Sequence, residues 1–132
     1  MYGSEEDVEF LYKFCVAINA SAPPEFWTTP MSVLKRAYNG VGPEDWPTWA
    51  RKALSVLLRP FSAAALVHDF EYSWEYKSKG MFRDANLRLC INIAKTAVYN
   101  RRYILIVYGV AAALLCQIFG YKAYCEGRLK DE

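Results

Sequence analysis

The sequence predicts a single all-α domain of five or six helices, and three observations carry that expectation. Apolar residues recur three and four positions apart, as in Val8, Leu11, Cys15 and Ile18, or Ala85, Leu89, Ile93 and Ala97, which is the period of one helix face. No segment keeps the strict alternation of a half-buried strand. Prolines and turn residues cluster between the periodic runs, and a chain of 132 residues can bury roughly two thirds of its unfolded surface in one core.

The elements follow in order. Ser4 ahead of Glu5, Glu6 and Asp7 places a hydroxyl cap and carboxylates at the positive end of a first helix. The run SAPPEFWTTP breaks it, because tandem prolines remove donors and force extended backbone. Thr29 and Pro30 read as the cap and first position of a short helix reaching Tyr38. NGVGPEDWP, residues 39–47, is the richest turn segment. A helix is expected over about 47–58, ending at Arg59-Pro60, and the next runs through His68 to about Lys77 with Gly80 as its stop. A further helix covers 83–99. The chain divides into an N-terminal helix with a proline-rich linker (1–25), a core (26–124) and a polar tail (125–132).

The segment YILIVYGVAAALLCQIFGY, 103–121, carries no charge and has Arg101, Arg102 and Lys122 at its ends. Its length suits a membrane span. Gln117, two glycines and three tyrosines suit equally a buried helix wrapped by the others, and the expectation is that it forms the apolar centre of the domain. The single-span protein stays open as an alternative.

Composition narrows the function classes. At 54% hydrophobic and 23% charged, with a net charge of +2, the chain is globular, not disordered. The bases are spread along it, which argues against a phosphate track and hence against nucleic acid. Cys15, Cys90, Cys116 and Cys125 show no C-x-x-C spacing and read as buried reduced thiols. The opening MYGSEEDVEF lacks the pattern of a secretory leader, so a cytoplasmic setting is the expectation.

The one histidine lies in AALVHDFEYS, 64–73. Residues four apart share a helix face, so His68 and Tyr72 point together, while Asp69 projects about 100° round. Asp84, on the following antiparallel helix, is expected to face His68, accept its N–H and free the other nitrogen for proton transfer from water. A histidine held in a structural polar network is the other reading of the same residues.

VHDFEY followed by RDANLRL is similar to the HD-x-x-Y helix and paired aspartate of phospholipase A2, particularly the disulfide-free form in parvovirus capsid proteins. The resemblance implies a calcium-dependent ester hydrolase acting on phospholipid at a membrane surface. His68 would activate water, supported by Tyr72 and Asp84. Asp69 would bind calcium with loop carbonyls from YNGVG, namely Tyr38, Gly40 and Gly42. A longer ordered match, from FWTTPMSVLKRAY through AALVHDFEYS and RDANLRL to VYGVAAALLCQIFGYKAY, resembles the phage and prophage family called domain of unknown function 1353. It implies a phage setting, virion-associated or cytoplasmic, and phage or virion protein partners. The same resemblance leaves a non-catalytic structural or interaction protein as the alternative to the hydrolase.

Overall fold

The computed structural model describes residues 5–38, 46–58, 61–73 and 78–126. These form an all-α domain: α1 (Glu5–Ala17), α2 (Pro24–Thr28), α3 (Met31–Ala37), α4 (Thr48–Leu58), α5 (Ser62–Tyr72), α6 (Lys79–Tyr99), a 3₁₀ turn (Tyr103–Leu105), α7 (Ile106–Phe119) and α8 (Tyr121–Glu126). There is no strand among the described residues. The helix count exceeds the expected five or six because α2 and α8 are short pieces on either side of corners.

Two helix ends are set by a device the sequence hides. At the end of α1 the Ala20 N–H bonds the Cys15 carbonyl at 2.9 Å, the Asn19 N–H bonds the Val16 carbonyl at 3.1 Å, and Asn19 has φ 54°. The end of α6 repeats this with Arg102 to Ala97 at 2.8 Å, Arg101 to Val98 at 3.0 Å, and φ 57° at Arg101. Both are Schellman closures, in which a left-handed residue turns two amides back onto the orphan carbonyls of the last turn. The first helix therefore stops before the prolines, not because of them. Ser78 caps α6 by accepting from the Met81 N–H at 3.0 Å. Gly80 lies inside that first turn instead of stopping the preceding helix.

The centre of the domain is α5, not the 103–121 segment. Its residues 63–68 are buried without interruption, as are Phe70 and Glu71, which means neighbours cover every face. Three consecutive alanines, Ala63 to Ala65, make that possible, since small side chains let other helices approach closely. Helix α1 meets α5 where the Cys15 thiol approaches the Ala63 carbonyl at 3.5 Å, and Phe26 of α2 meets Phe70 edge-on at 5.5 Å. Helix α6 runs antiparallel to α5, and α7 runs antiparallel to α6. Asn92 of α6 ties down the linker after α1: its amide accepts from the Ser21 N–H at 2.7 Å and donates to the Ser21 carbonyl at 2.8 Å.

The 103–121 segment was expected to be covered all round, and it is covered on one side only. Gly109, Ala112, Cys116 and Gly120 are its buried residues, and Leu105, Tyr108, Leu115 and Phe119 are partly buried against the core. A Cβ at Gly109 would sit 3.1 Å from both the Cys90 carbonyl oxygen and Ile93, so the α6 and α7 backbones meet closely there. The larger side chains Val107, Val110, Leu114 and Ile118 face outward and are exposed. Among the described residues no helix is long and apolar enough to cross a membrane. The four cysteines are free thiols.

Candidate functional site

His68 and Tyr72 share a face of α5, as their spacing requires, with ring centroids 4.1 Å apart. The group they converge on is Asn86 of α6. Its Oδ1 lies 3.0 Å from His68 Nε2 and accepts the Tyr72 hydroxyl at 2.8 Å, while its Nδ2 donates to Gln117 Oε1 of α7 at 2.9 Å. An amide oxygen has lone pairs and no proton, so His68 Nε2 is the donor and Nδ1 is left unprotonated in the neutral ring. Burial pushes the imidazole down to about 4, against a smaller upward pull from the Asn86 bond. Burial likewise pushes the Tyr72 phenol well above its ordinary value. The cluster is a polar network, buried at His68 and Asn86, half-buried at Tyr72 and open to solvent at Gln117, neutral at pH 7, that links α5, α6 and α7.

Asp84 does not take the place expected of it beside the imidazole. Residues two apart on a helix point about 200° from each other, so an Asn86 that faces His68 turns Asp84 away. Asp84 pairs instead with Arg83 at 3.6 Å on a half-exposed surface. Asp69 is half-buried on α5. Tyr38 is buried and closes α3, its N–H bonding the Leu34 carbonyl at 3.0 Å. Gly40 and Gly42 lie outside the described residues, and with them the loop expected to hold calcium. Among the described residues, no three His, Cys, Asp or Glu side chains are grouped closely enough to hold a metal ion.

A second polar cluster was not anticipated. Glu71, only 8% exposed, forms an ion pair with Arg88 through its Oε1, while its Oε2 has no hydrogen-bond partner. Burial raises this carboxyl to about 7, outweighing the opposing pull of Arg88. Glu71 and Arg88 line a cavity of about 170 Å³ together with Glu25, Asp84, Phe70 and Tyr124. The signal was present in the sequence: Glu71 lies three residues after His68 on an apolar helix, and Arg88 follows Asp84 by one turn.

The third feature is the outer face of α7. Val107, Val110, Leu114 and Ile118 are all exposed and recur three or four residues apart, which lines them up along one side, and Tyr103 and Tyr121, also exposed, flank the helix. Arg101, Arg102 and Lys122 are exposed at its two ends. Between Asp84 and Glu126 the chain has five bases and no acid. Comparison with family models, with curated proteins and with solved structures finds no match for this chain. The phospholipase and phage-family resemblances accordingly stand on the quoted motifs alone.

Proposed function

We propose that this protein is a non-catalytic helical module that docks on an anionic membrane surface through α7, with the His68 network holding the register of the helices beneath. The observation that carries the reading is the inverted packing of α7. In water a surface helix buries its large apolar residues and shows its polar ones. Here the fully buried residues of α7, Gly109, Ala112 and Cys116, are small, and Tyr108, Leu115 and Phe119 pack at the flanks, while Val107, Val110, Leu114 and Ile118 face out. Small residues at helix contacts with large ones outside is the arrangement found where lipid covers the outer face. At 14 residues the helix is about 21 Å long, shorter than a hydrocarbon core of about 30 Å, so it would lie in the interface, not across it. The tyrosines at both ends suit the headgroup level.

Charge chooses between lipid and a second copy of the chain. A parallel dimer through α7 would bring Arg101 and Arg102 against their own kind. Anionic headgroups instead attract each base by about 1 kcal/mol. Co-sedimentation with phosphatidylglycerol and with phosphatidylcholine vesicles tests this. The protein should bind the anionic vesicles, lose at least tenfold in affinity as the double variant Val110→Glu, Leu114→Glu, and bind more weakly at high salt. Failure to bind, or a stable dimer that the double variant splits, would overturn it.

The calcium-assisted ester hydrolase keeps one observation in its favour. His68 is neutral at pH 7 with an unprotonated Nδ1, the form a general base needs, though a base near 4 is a weak one. Lipid release by wild type, His68→Ala and Asp69→Asn, each with calcium and with chelator, tests it. Calcium-dependent release lost in both variants supports the hydrolase. Equal output in every arm removes it.

A further inference from the structure

The cavity between α2, α5, α6 and α8 shares no lining residue with the His68 network or the α7 face, although its Tyr124 meets the Tyr72 ring at 5.3 Å. Its wall holds three carboxylates, Glu25, Glu71 and Asp84, against one guanidinium, Arg88. Arg88 is already engaged with Glu71 Oε1, so Oε2 of the same carboxylate is a buried acceptor with no donor. A buried carboxylate oxygen left in that state bears its desolvation cost without a hydrogen bond to offset it. The remaining wall is apolar, with the rings of Phe70 and Tyr124 beside Pro23 and Met81.

Each feature narrows the ligand. The excess of carboxylates calls for a cation and disfavours an acid or a phosphate, which would meet Asp84 and Glu25. A metal ion is a poor match, since Arg88 sits among the acids and the carboxylates are not grouped as ligands. Aromatic faces favour an organic cation, which they attract through the ring quadrupole while packing against its alkyl part. The volume, about 170 Å³, compares with an apolar protein cavity of about 150 Å³ that holds benzene. That bounds the ligand to a small molecule of a few carbons.

We propose that this cavity is a binding site for a small alkylammonium, a short amine or diamine, whose ammonium donates to Glu71 Oε2 and pairs with Asp84 at the mouth while its chain lies against Phe70 and Tyr124. The site needs neither a metal nor the lipid face, and it goes beyond the docking role. It also has a proton signature. Burial holds the free Glu71 carboxyl near 7, and an ammonium against it would keep it ionised, so binding should release a proton near neutral pH. The charged and titratable groups facing Glu71 are Arg88 and Asp84 on α6, Glu25 on α2 and Tyr124 on α8.

Calorimetric titration with 1,4-diaminobutane is the test, with 1,4-butanediol as the uncharged control. The diamine should bind saturably and the diol should not. Glu71→Gln and Asp84→Asn should each weaken diamine binding at least tenfold. Affinity in the wild type should fall as the pH is lowered through 7, and that dependence should vanish in Glu71→Gln. Asp84 is half-exposed, so Asp84→Asn tests the site even where Glu71→Gln loosens the pair with Arg88. Absence of saturable binding, equal binding of the diol, or undiminished binding by Asp84→Asn would each overturn the proposal.

Discussion

His68 and Glu71 sit one helical turn apart in the centre of the domain, and burial moves their proton affinities in opposite directions. His68 is lowered from 6.5 to about 4. The unfolded chain takes up its proton near 6.5 and the folded chain only near 4, so stability from the neutral ring is intact above 6.5 and lost as the pH falls toward 4. The full loss is about 3 kcal/mol. Glu71 is raised from 4.5 to about 7, so its contribution is present below 4.5 and lost as the pH rises through 7. Between 4.5 and 6.5 the two slopes oppose. Denaturant unfolding of the wild type should therefore change little across that window, whereas Glu71→Gln should lose about 1 kcal/mol per pH unit on acidification. A flat profile in Glu71→Gln would mean that His68 is not held neutral. The joint position of His68 and Tyr72 was legible from their spacing. Their partner was not, because a carboxylate at Asp84 and an amide at Asn86 are both plausible acceptors until the rotation of α6 is known.

At the scale of elements, the ends of helices carry strain that can be measured. Arg101 holds φ 57°, a region that costs an L-residue roughly 1 to 2 kcal/mol relative to its ordinary conformations and costs glycine nothing. Arg101→Gly should therefore raise the unfolding free energy by about 1 kcal/mol, read as a higher thermal midpoint, while weakening vesicle binding by removing one base. The corner between α7 and α8 responds in the opposite sense. A Cβ at Gly120 would meet the Cys116 carbonyl oxygen at 2.5 Å and the Tyr72 hydroxyl at 2.9 Å, and backbone cannot yield as a side-chain tip does. Gly120→Ala should cost about 1 to 3 kcal/mol and disturb the Tyr72 bond to Asn86. The periodic runs made most helices legible, and Asn19 is a residue the stop rule names after glycine for a left-handed closure, yet α6 closes through Arg101, which that rule does not select.

At the scale of the whole molecule, the all-α single domain was legible because amphipathic periodicity is a property of each segment alone. Which helix occupies the centre was not, because that depends on side-chain size on facing surfaces. The most apolar segment, 103–121, looked central by hydrophobicity. The alanine-rich α5 is central in fact, since Ala63, Ala64 and Ala65 admit neighbours on all sides while Val110, Leu114 and Ile118 project into open surface. The two faces of α7 should therefore answer mutation differently. Leu114→Gln on the outer face should leave the unfolding free energy of the lipid-free protein within about 0.5 kcal/mol. Ala112→Leu on the inner face, where Ala112 is fully buried, should cost about 1 to 3 kcal/mol through overpacking, although it adds apolar surface where Leu114→Gln removes it. A helix buried all round would instead lose stability in both variants, with Leu114→Gln paying for an unpaired buried amide. Denaturant unfolding of the two variants without lipid separates these outcomes. A large loss in Leu114→Gln would return α7 to the core and remove the surface on which membrane docking rests.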